Sequence, residues 1–136
     1  MIDSGASDSR IDERFACQLQ ATLNESDLRT FQTMNGPATE RTSLLNIQIS
    51  GTDGRWYDLT EITTKPKIKI LGPRLSWRQI ARHDKNLAHI SRFLPEEVAY
   101  PQIKLILGLD AEELTASRER IVAETGGLVA IRTLLG

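Results

Sequence analysis

The alternation of apolar and polar residues predicts a chain built mainly from β-strands. In the segment SLLNIQI, Leu45, Ile47 and Ile49 recur at every second position, and RWYDLTEI follows after the turn sequence GTDG at 51–54. This period places one face of a strand in the core and the other in solvent. The segment LRTFQTM alternates similarly and leads into the Asn-Gly pair at 35–36, a strong signal for a tight turn. Two β-hairpins are therefore expected.

Helical periodicity replaces this alternation in two parts of the chain. The segment DERFACQLQATL places Phe15, Leu19 and Leu23 four residues apart, which predicts a short helix with one apolar stripe. Between residues 76 and 98, apolar residues recur at spacings of seven, three and four until Pro95 interrupts the pattern. One or two helices are expected there.

The last third of the chain combines strand and helix signals. The segment QIKLILGLD is a short apolar strand ending in glycine, and GGLVAIRTLLG also reads as a strand. Between them, DAEELTASRERI predicts a helix with Asp110 as N-cap and Glu113 three residues later. Glu112 and Glu113 then belong to its first turn, where the helix dipole favours acidic groups.

Composition describes a globular protein. The 136 residues suit one domain, 1–136, and the charged fraction of 26% with 40% hydrophobic residues is typical of a folded chain. No apolar run reaches membrane-spanning length and no signal peptide is recognisable, so a cytoplasmic location without membrane contact is expected. Cys17 is the only cysteine and is interpreted as a buried small hydrophobe and not as a nucleophile. His83 and His89 stand six apart without other ligand types at metal spacing, so neither a metal nor a cofactor is expected.

Charge is concentrated in a basic segment, residues 65–92, which has eight basic side chains and one acidic side chain, Asp84. Nucleic-acid binding is one interpretation of this segment. The preferred interpretation is that its cations solvate a strand and a helix. In KPKIKIL, Lys65, Lys67 and Lys69 alternate as on an edge strand with one exposed face.

The same two interpretations apply to the helical part of the basic segment. Arg74, Arg78 and Arg82 surround Trp77, an aromatic residue that stacks on a base under the first interpretation and anchors the helix to the core under the second. Under the preferred interpretation these arginines only solvate a helix face.

Two short motifs carry the strongest functional signal. Asp3-Ser4-Gly5-Ala6 stands near the N-terminus, and Ile106-Leu107-Gly108 precedes a predicted helix far downstream. Together they resemble the catalytic loop and the second signature of retroviral-type aspartic proteases. The segments IDSGASDSRIDERFACQL, KLILGLDA and GGLVAIRTLLG are most similar to the aspartic peptidase domain of Pao-type (BEL/Pao) retrotransposon polyproteins.

The resemblance implies a retropepsin-like closed β-barrel, half of an acid protease, with a helical insert at about 74–98 and a short C-terminal helix. It implies that Asp3 is catalytic, that Ser4 fixes the loop across a dimer, and that Gly5 allows close backbone approach. Peptide hydrolysis without a metal or a nucleophilic side chain requires two carboxyl groups, one to activate water and one to polarise the scissile carbonyl. Only one Asp-Ser/Thr-Gly occurs in the chain, so a homodimer is expected.

The remaining site residues are assigned to substrate binding. They are Ala6, Met34, Asn35, Gly36, Ile106, Leu107 and Gly108. The resemblance also implies that the strand at 105–108 packs beneath the catalytic loop, with Gly108 leaving room for the turn into the next helix. The turn at 34–37 is the preferred flap, the hairpin tip that closes over substrate, and GTDG at 51–54 is its rival.

The expected function is therefore cleavage of the element's own polyprotein, inside the cell or in a virus-like particle. Only Met1-Ile2 precede Asp3, so we expect the strand leading into the catalytic loop to be truncated. The alternatives are an inactive remnant of the same fold and a nucleic-acid or partner-binding module that uses the basic segment.

Overall fold

The computed structural model describes residues 6–33, 36–72, 75–94, 102–124 and 126–136. Strands account for 39% of the described residues and helices for 21%, which confirms a mainly β protein. Its residues divide into two compact units. The first unit comprises Met1–Ile49, Trp56–Lys69 and Ile103–Ala111, and the second comprises Ser50–Arg55, Ile70–Gln102 and Glu112–Gly136.

The elements follow one another in this order: β1 (Arg10–Asp12), α1 (Glu13–Gln18), β2 (Asp27–Thr33), β3 (Gly36–Thr42), β4 (Leu44–Ser50), β5 (Trp56–Lys65), α2 (Trp77–Arg82), a 3₁₀ helix (Ala88–Phe93), β6 (Leu105–Ile106), a second 3₁₀ helix (Leu109–Ala111), α3 (Glu112–Thr115), β7 (Glu119–Val122) and β8 (Val129–Arg132).

A four-stranded sheet of order β4-β5-β1-β6 organises the first unit. Strand β1 runs parallel to β5 and antiparallel to β6, with Arg10 opposite Ile106. Ile11, Leu45 and Ile62 have at most 1% of their surface exposed and form the centre of the core. Because β1 lies between β5 and β6, the segment that follows the N-terminal motif is placed beside the downstream motif.

Strands β2 and β3 form the first predicted hairpin, with Thr33 opposite Gly36. Directly opposite residues share a face of an antiparallel pair, and so do alternate residues along each strand. Phe31 and Thr42 are therefore on one face, and both are buried. The opposite face has an exposed hydrogen bond between the hydroxyls of Thr30 and Thr39. The hairpin therefore packs through the face that carries Phe31 and Thr42, and its opposite face is exposed.

The second unit contains α2, the 3₁₀ helix at 88–93 and the β7-β8 hairpin. Its core is a cluster of Ala81, Leu87 and Ala123, extended by Ile90, Leu94, Ile121 and Ala130. The expectation of one or two helices in the 76–98 region is confirmed by α2 and the 3₁₀ helix, which ends at Phe93. Residues 95–101 lie outside the described part of the chain.

Asp84 connects two segments of the second unit through hydrogen bonds. Its buried carboxylate accepts hydrogen bonds from the backbone amides of Asn86, Leu87 and Glu124. A buried carboxylate is costly unless it is hydrogen-bonded, so the single acid of the basic segment has a structural role.

Several expectations about the elements were wrong. The strand predicted over KPKIKIL ends at Lys65, because Ile68 instead donates its amide to the Asp12 carboxylate. The helix predicted over 110–121 ends at Thr115, and β7 follows it. The described strands form one four-stranded and two two-stranded sheets, none of which closes into a barrel.

The first helix is shorter than its apolar stripe. It ends at Gln18, Leu19 is 50% exposed, and Ala16 is the buried residue of the helix. Gln20 has a left-handed φ of 56°, its amide bonds to Cys17 O, and the amide of Ala21 bonds to Ala16 O. These two bonds form a Schellman motif, which stops the helix.

Across the described ranges, no helix has the length and apolar character to cross a membrane.

Candidate active site

The described residues include half of the predicted site. Asp3, Ser4, Gly5, Met34 and Asn35 lie outside them. Ala6, Gly36, Ile106, Leu107 and Gly108 lie inside. Of these five, Ala6 and Gly108 are brought into contact, whereas Gly36 begins β3 in the hairpin.

The two sequence motifs meet where residues 6–9 contact residues 108–110, a contact we term the junction. The amide of Leu109 donates to the carbonyl of Ala6 over 2.9 Å, and the amide of Asp110 donates to that of Ser7 over 3.2 Å. The start of the 3₁₀ helix at 109–111 is thereby hydrogen-bonded to the segment that directly follows Asp3-Ser4-Gly5.

Gly108 is required at the junction by close packing. A Cβ atom built on it would lie 2.7 Å from the carbonyl carbon of Asp8 and 2.9 Å from the carbonyl oxygen of Ala6. Both neighbours are backbone atoms, so a larger residue could fit only if the chain moved. The glycine expected to leave room for the turn therefore leaves room for residues 6–8.

The junction is completed by a buried serine that the sequence analysis did not identify. Ser9 is 1% exposed, and its hydroxyl donates to Asp110 Oδ1 over 2.6 Å while its amide donates to Oδ2 over 2.7 Å. The same hydroxyl accepts the amide of Gly108 at 3.1 Å. Asp110 was expected to cap a helix, and its carboxylate instead binds Ser9. The sequence feature that could have indicated Ser9 is its position, because this hydroxyl residue directly precedes Arg10 and the apolar Ile11.

The strand residues of the downstream motif belong to the core. Ile106 and Leu107 are 7% and 5% exposed, respectively. Their burial fits the packing role expected for this strand, and their contact with substrate stays a prediction.

Asp12 is a buried carboxylate near the junction, and its oxygens are bonded to partners within the chain. It is 3% exposed and accepts the amides of Phe15, as N-cap of α1, and of Ile68. Lys104 Nζ lies 3.9 Å from its Oδ1. Asp12 therefore stabilises the end of β1.

The preferred flap, the β2-β3 hairpin, is attached through side-chain contacts. Lys65 Nζ contacts both carboxylate oxygens of Glu40 on β3, at 2.9 and 3.1 Å. On β2, the Arg10 guanidinium lies over the Phe31 ring, with Cζ 3.8 Å from its centroid. Gly36, the first residue after the tip, has a φ of 101°, and no atom would contact a Cβ there within 4 Å.

The rival turn, GTDG at 51–54, is held by the C-terminal residues of the second unit. The amide of Thr52 donates to the carbonyl of Leu135 over 3.0 Å, and the built Cβ of Gly51 would lie 2.7 Å from Leu134 O. These backbone contacts restrain the turn at 51–54 from closing over substrate.

The basic segment divides into structural and exposed cations. Arg78 donates to the carbonyl of Leu94 through Nε at 3.0 Å and Nη2 at 2.8 Å, which corrects the expectation that it only solvates a helix face. Lys65 is paired with Glu40, whereas Lys67 and Lys69 are exposed.

Metal binding has no support in the described residues, among which no three His, Cys, Asp or Glu side chains are grouped closely enough to hold an ion. His83 and His89 are both exposed. Cys17 is exposed on α1, so its interpretation as a buried hydrophobe was wrong.

Comparisons with family models, with curated proteins and with solved structures find no match to this chain.

Proposed function

We propose that this protein is an aspartic endopeptidase of the retroviral type, most similar to the peptidase domain of Pao-type retrotransposons. In this proposal, Asp3 from each of two chains forms the catalytic pair, and the substrate is the element's own polyprotein. The observation that supports it is the junction, because residues directly following Asp-Ser-Gly are bonded to residues directly following Ile-Leu-Gly.

The junction supports catalysis because its hydrogen bonds limit movement of the chain next to the proposed catalytic loop. Activation of a water molecule between two carboxyls depends on loop positions held within about 0.5 Å. Two backbone hydrogen bonds and the Ser9–Asp110 contacts anchor the chain immediately after the proposed loop. Gly108 permits the close approach that these bonds require.

The second carboxyl of the pair is assigned to another chain because nearby acids already have partners. Asp12 binds two backbone amides, Asp110 binds Ser9, and Asp8 accepts the hydroxyl of Ser7. Asp3 of a twofold-related copy is the remaining acid with the same sequence context. One Asp3 would then deprotonate water, and the other, protonated, would polarise the scissile carbonyl.

The experiment is a peptide-cleavage assay on the full chain with two matched variants. Asp3→Asn should abolish cleavage, because an amide cannot serve as the general base. Asp58→Asn is the control, since Asp58 is an exposed acceptor for Gln48 on the β4-β5 pair and an amide oxygen can still accept that bond. Cleavage that survives Asp3→Asn would reject the proposal, and an inactive wild type would favour the inactive remnant.

The pH profile provides a second, independent measurement. Two like carboxyls that share a proton titrate as a coupled pair, so the rate should follow a bell with an acidic optimum. A rate that rises steadily from neutral into alkaline pH would indicate different chemistry.

A further inference from the structure

Arg10 occupies a position between the junction and the hairpin. It directly follows Ser9, and it opposes Ile106 in the pairing of β1 with β6. Its side chain extends to β2, where the guanidinium stacks on Phe31 at 3.8 Å. Arg10 is therefore partly buried, directly follows the junction in sequence and contacts the hairpin that is the preferred flap.

The stacked guanidinium keeps its hydrogen-bonding capacity. A guanidinium that lies flat on an aromatic ring contacts it through its planar face, and its N–H groups point outward in the plane of the guanidinium. Within the described ranges, the ring of Phe31 is the partner of this side chain, and no carboxylate is within ion-pair distance of it. By contrast, Lys65, the other cation next to the hairpin, is already paired with Glu40.

We propose that Arg10 is a specificity-determining residue that binds the carboxylate of an Asp or Glu side chain in the substrate. This inference rests on the proposed endopeptidase function and adds the chemical class of the substrate. A planar guanidinium binds a carboxylate through two parallel hydrogen bonds, which gives both affinity and orientation. The stack on Phe31 holds the guanidinium in place before substrate arrives, so less side-chain freedom is lost on binding.

The test uses positional libraries of blocked octapeptides in which Glu or the isosteric Gln is fixed at each position in turn. The wild type should cleave the Glu library about tenfold faster than the Gln library at one position, because hydrogen bonds to charged groups contribute this much. Arg10→Gln should remove that preference while cleavage of the Gln library continues. Arg10→Lys, which keeps the charge without the fork, should retain part of it.

Two controls separate recognition from stability. Arg14→Gln removes an exposed cation from α1, changes the net charge equally, and should leave the Glu preference intact. Phe31→Leu keeps an apolar side chain on β2 but removes the ring, so it should weaken the preference. Equal cleavage of Glu and Gln libraries at every position, or a preference unchanged by Arg10→Gln, would overturn the inference.

The inference and the proposed function can fail separately. Peptides of both libraries are also bound to immobilised Asp3→Asn protein, which needs no turnover. If the Asp3→Asn protein retains Glu peptides more strongly than Gln peptides, and the Asp3→Asn, Arg10→Gln double variant does not, the result supports Arg10 as the carboxylate site. Equal retention overturns it even if the wild type cleaves peptides, whereas absence of cleavage by the wild type rejects the endopeptidase function alone.

Discussion

Ser9 and Asp110, which are 101 residues apart in the chain, are joined by two hydrogen bonds of 2.6 and 2.7 Å that use both oxygens of one carboxylate. Ser9 is buried and also accepts the amide of Gly108. Through this pair, the segment next to the proposed catalytic loop and the segment after β6 are fixed to each other. The contact therefore links the segments that follow the two sequence motifs.

Removing the Ser9 hydroxyl should destabilise the protein measurably. Ser9→Ala leaves the amide of Gly108 and one oxygen of Asp110 without their partner, at a cost of about 2 kcal/mol in the free energy of unfolding. Urea unfolding measures this difference. Ser7→Ala removes an exposed hydroxyl that donates to the neighbouring Asp8, so a change within about 0.5 kcal/mol is expected. Equal effects of the two variants would show that the Ser9 contacts contribute little.

Gly108→Ala should be more damaging than alanine at an uncrowded glycine. The added methyl group meets backbone atoms of Asp8 at 2.7 and 2.8 Å, so we expect a loss of about 2–3 kcal/mol. Gly126→Ala is the comparison: its site is open within 4 Å but has a φ of 79°, which should cost about 1 kcal/mol. Thermal unfolding of both variants tests the difference. Indistinguishable midpoints would contradict the close packing at the junction.

Arg78 and Arg82, four residues apart on α2, should differ in their effect on stability. Arg78→Ala leaves the carbonyl of Leu94 without two charge-assisted bonds, and we expect a loss of about 2 kcal/mol. Arg82 is exposed, and Arg82→Ala should change stability by less than about 0.5 kcal/mol. Denaturant unfolding distinguishes them. If both substitutions lowered the free energy of unfolding by the same small amount, Arg78 would have no structural role beyond that of the exposed Arg82.

The left-handed residue that ends α1 offers a stabilising substitution. Gln20→Gly relieves the cost of a φ of 56° for a residue with a Cβ, and the net gain should be about 0.5–1 kcal/mol after the entropy of glycine is included. Gln18→Gly, in the last helical position, should instead lose about 0.5–1 kcal/mol. Unfolding of both variants checks the opposite signs; a loss in Gln20→Gly would mean that its side chain makes a contact worth more than the strain.

Local sequence patterns correctly predicted the elements that are formed by residues close together in the sequence. The β2-β3 and β4-β5 hairpins were found because alternation and turn residues act over a few neighbouring positions. The helix predicted from Asp110 onward failed at β7, because Glu119–Val122 pairs with Val129–Arg132 although Glu and Arg favour helices. Tertiary pairing outweighed the weak helical preference there.

The junction illustrates what local patterns miss. The sequence identified Gly108 and Ala6 through their motifs, but the role of Ser9 depends on Asp110, 101 residues away. Asp110 has the local signature of a helix cap, and nothing within its own segment indicates a serine partner. Arg10 was missed for the same reason, because it lies on β1 and its partner Phe31 lies on the β2-β3 hairpin.

The central claim, that one active site uses Asp3 from two chains, is tested most directly by subunit mixing. Wild-type and Asp3→Asn chains are unfolded together, refolded at increasing proportions of the variant, and assayed for peptide cleavage at a constant amount of wild-type chain. With equal amounts, random pairing leaves one quarter of the dimers with two Asp3 residues, so activity should fall to about half of that of the wild type alone. Activity that stays constant as the variant is added would contradict the account, because each chain would then contain a complete site.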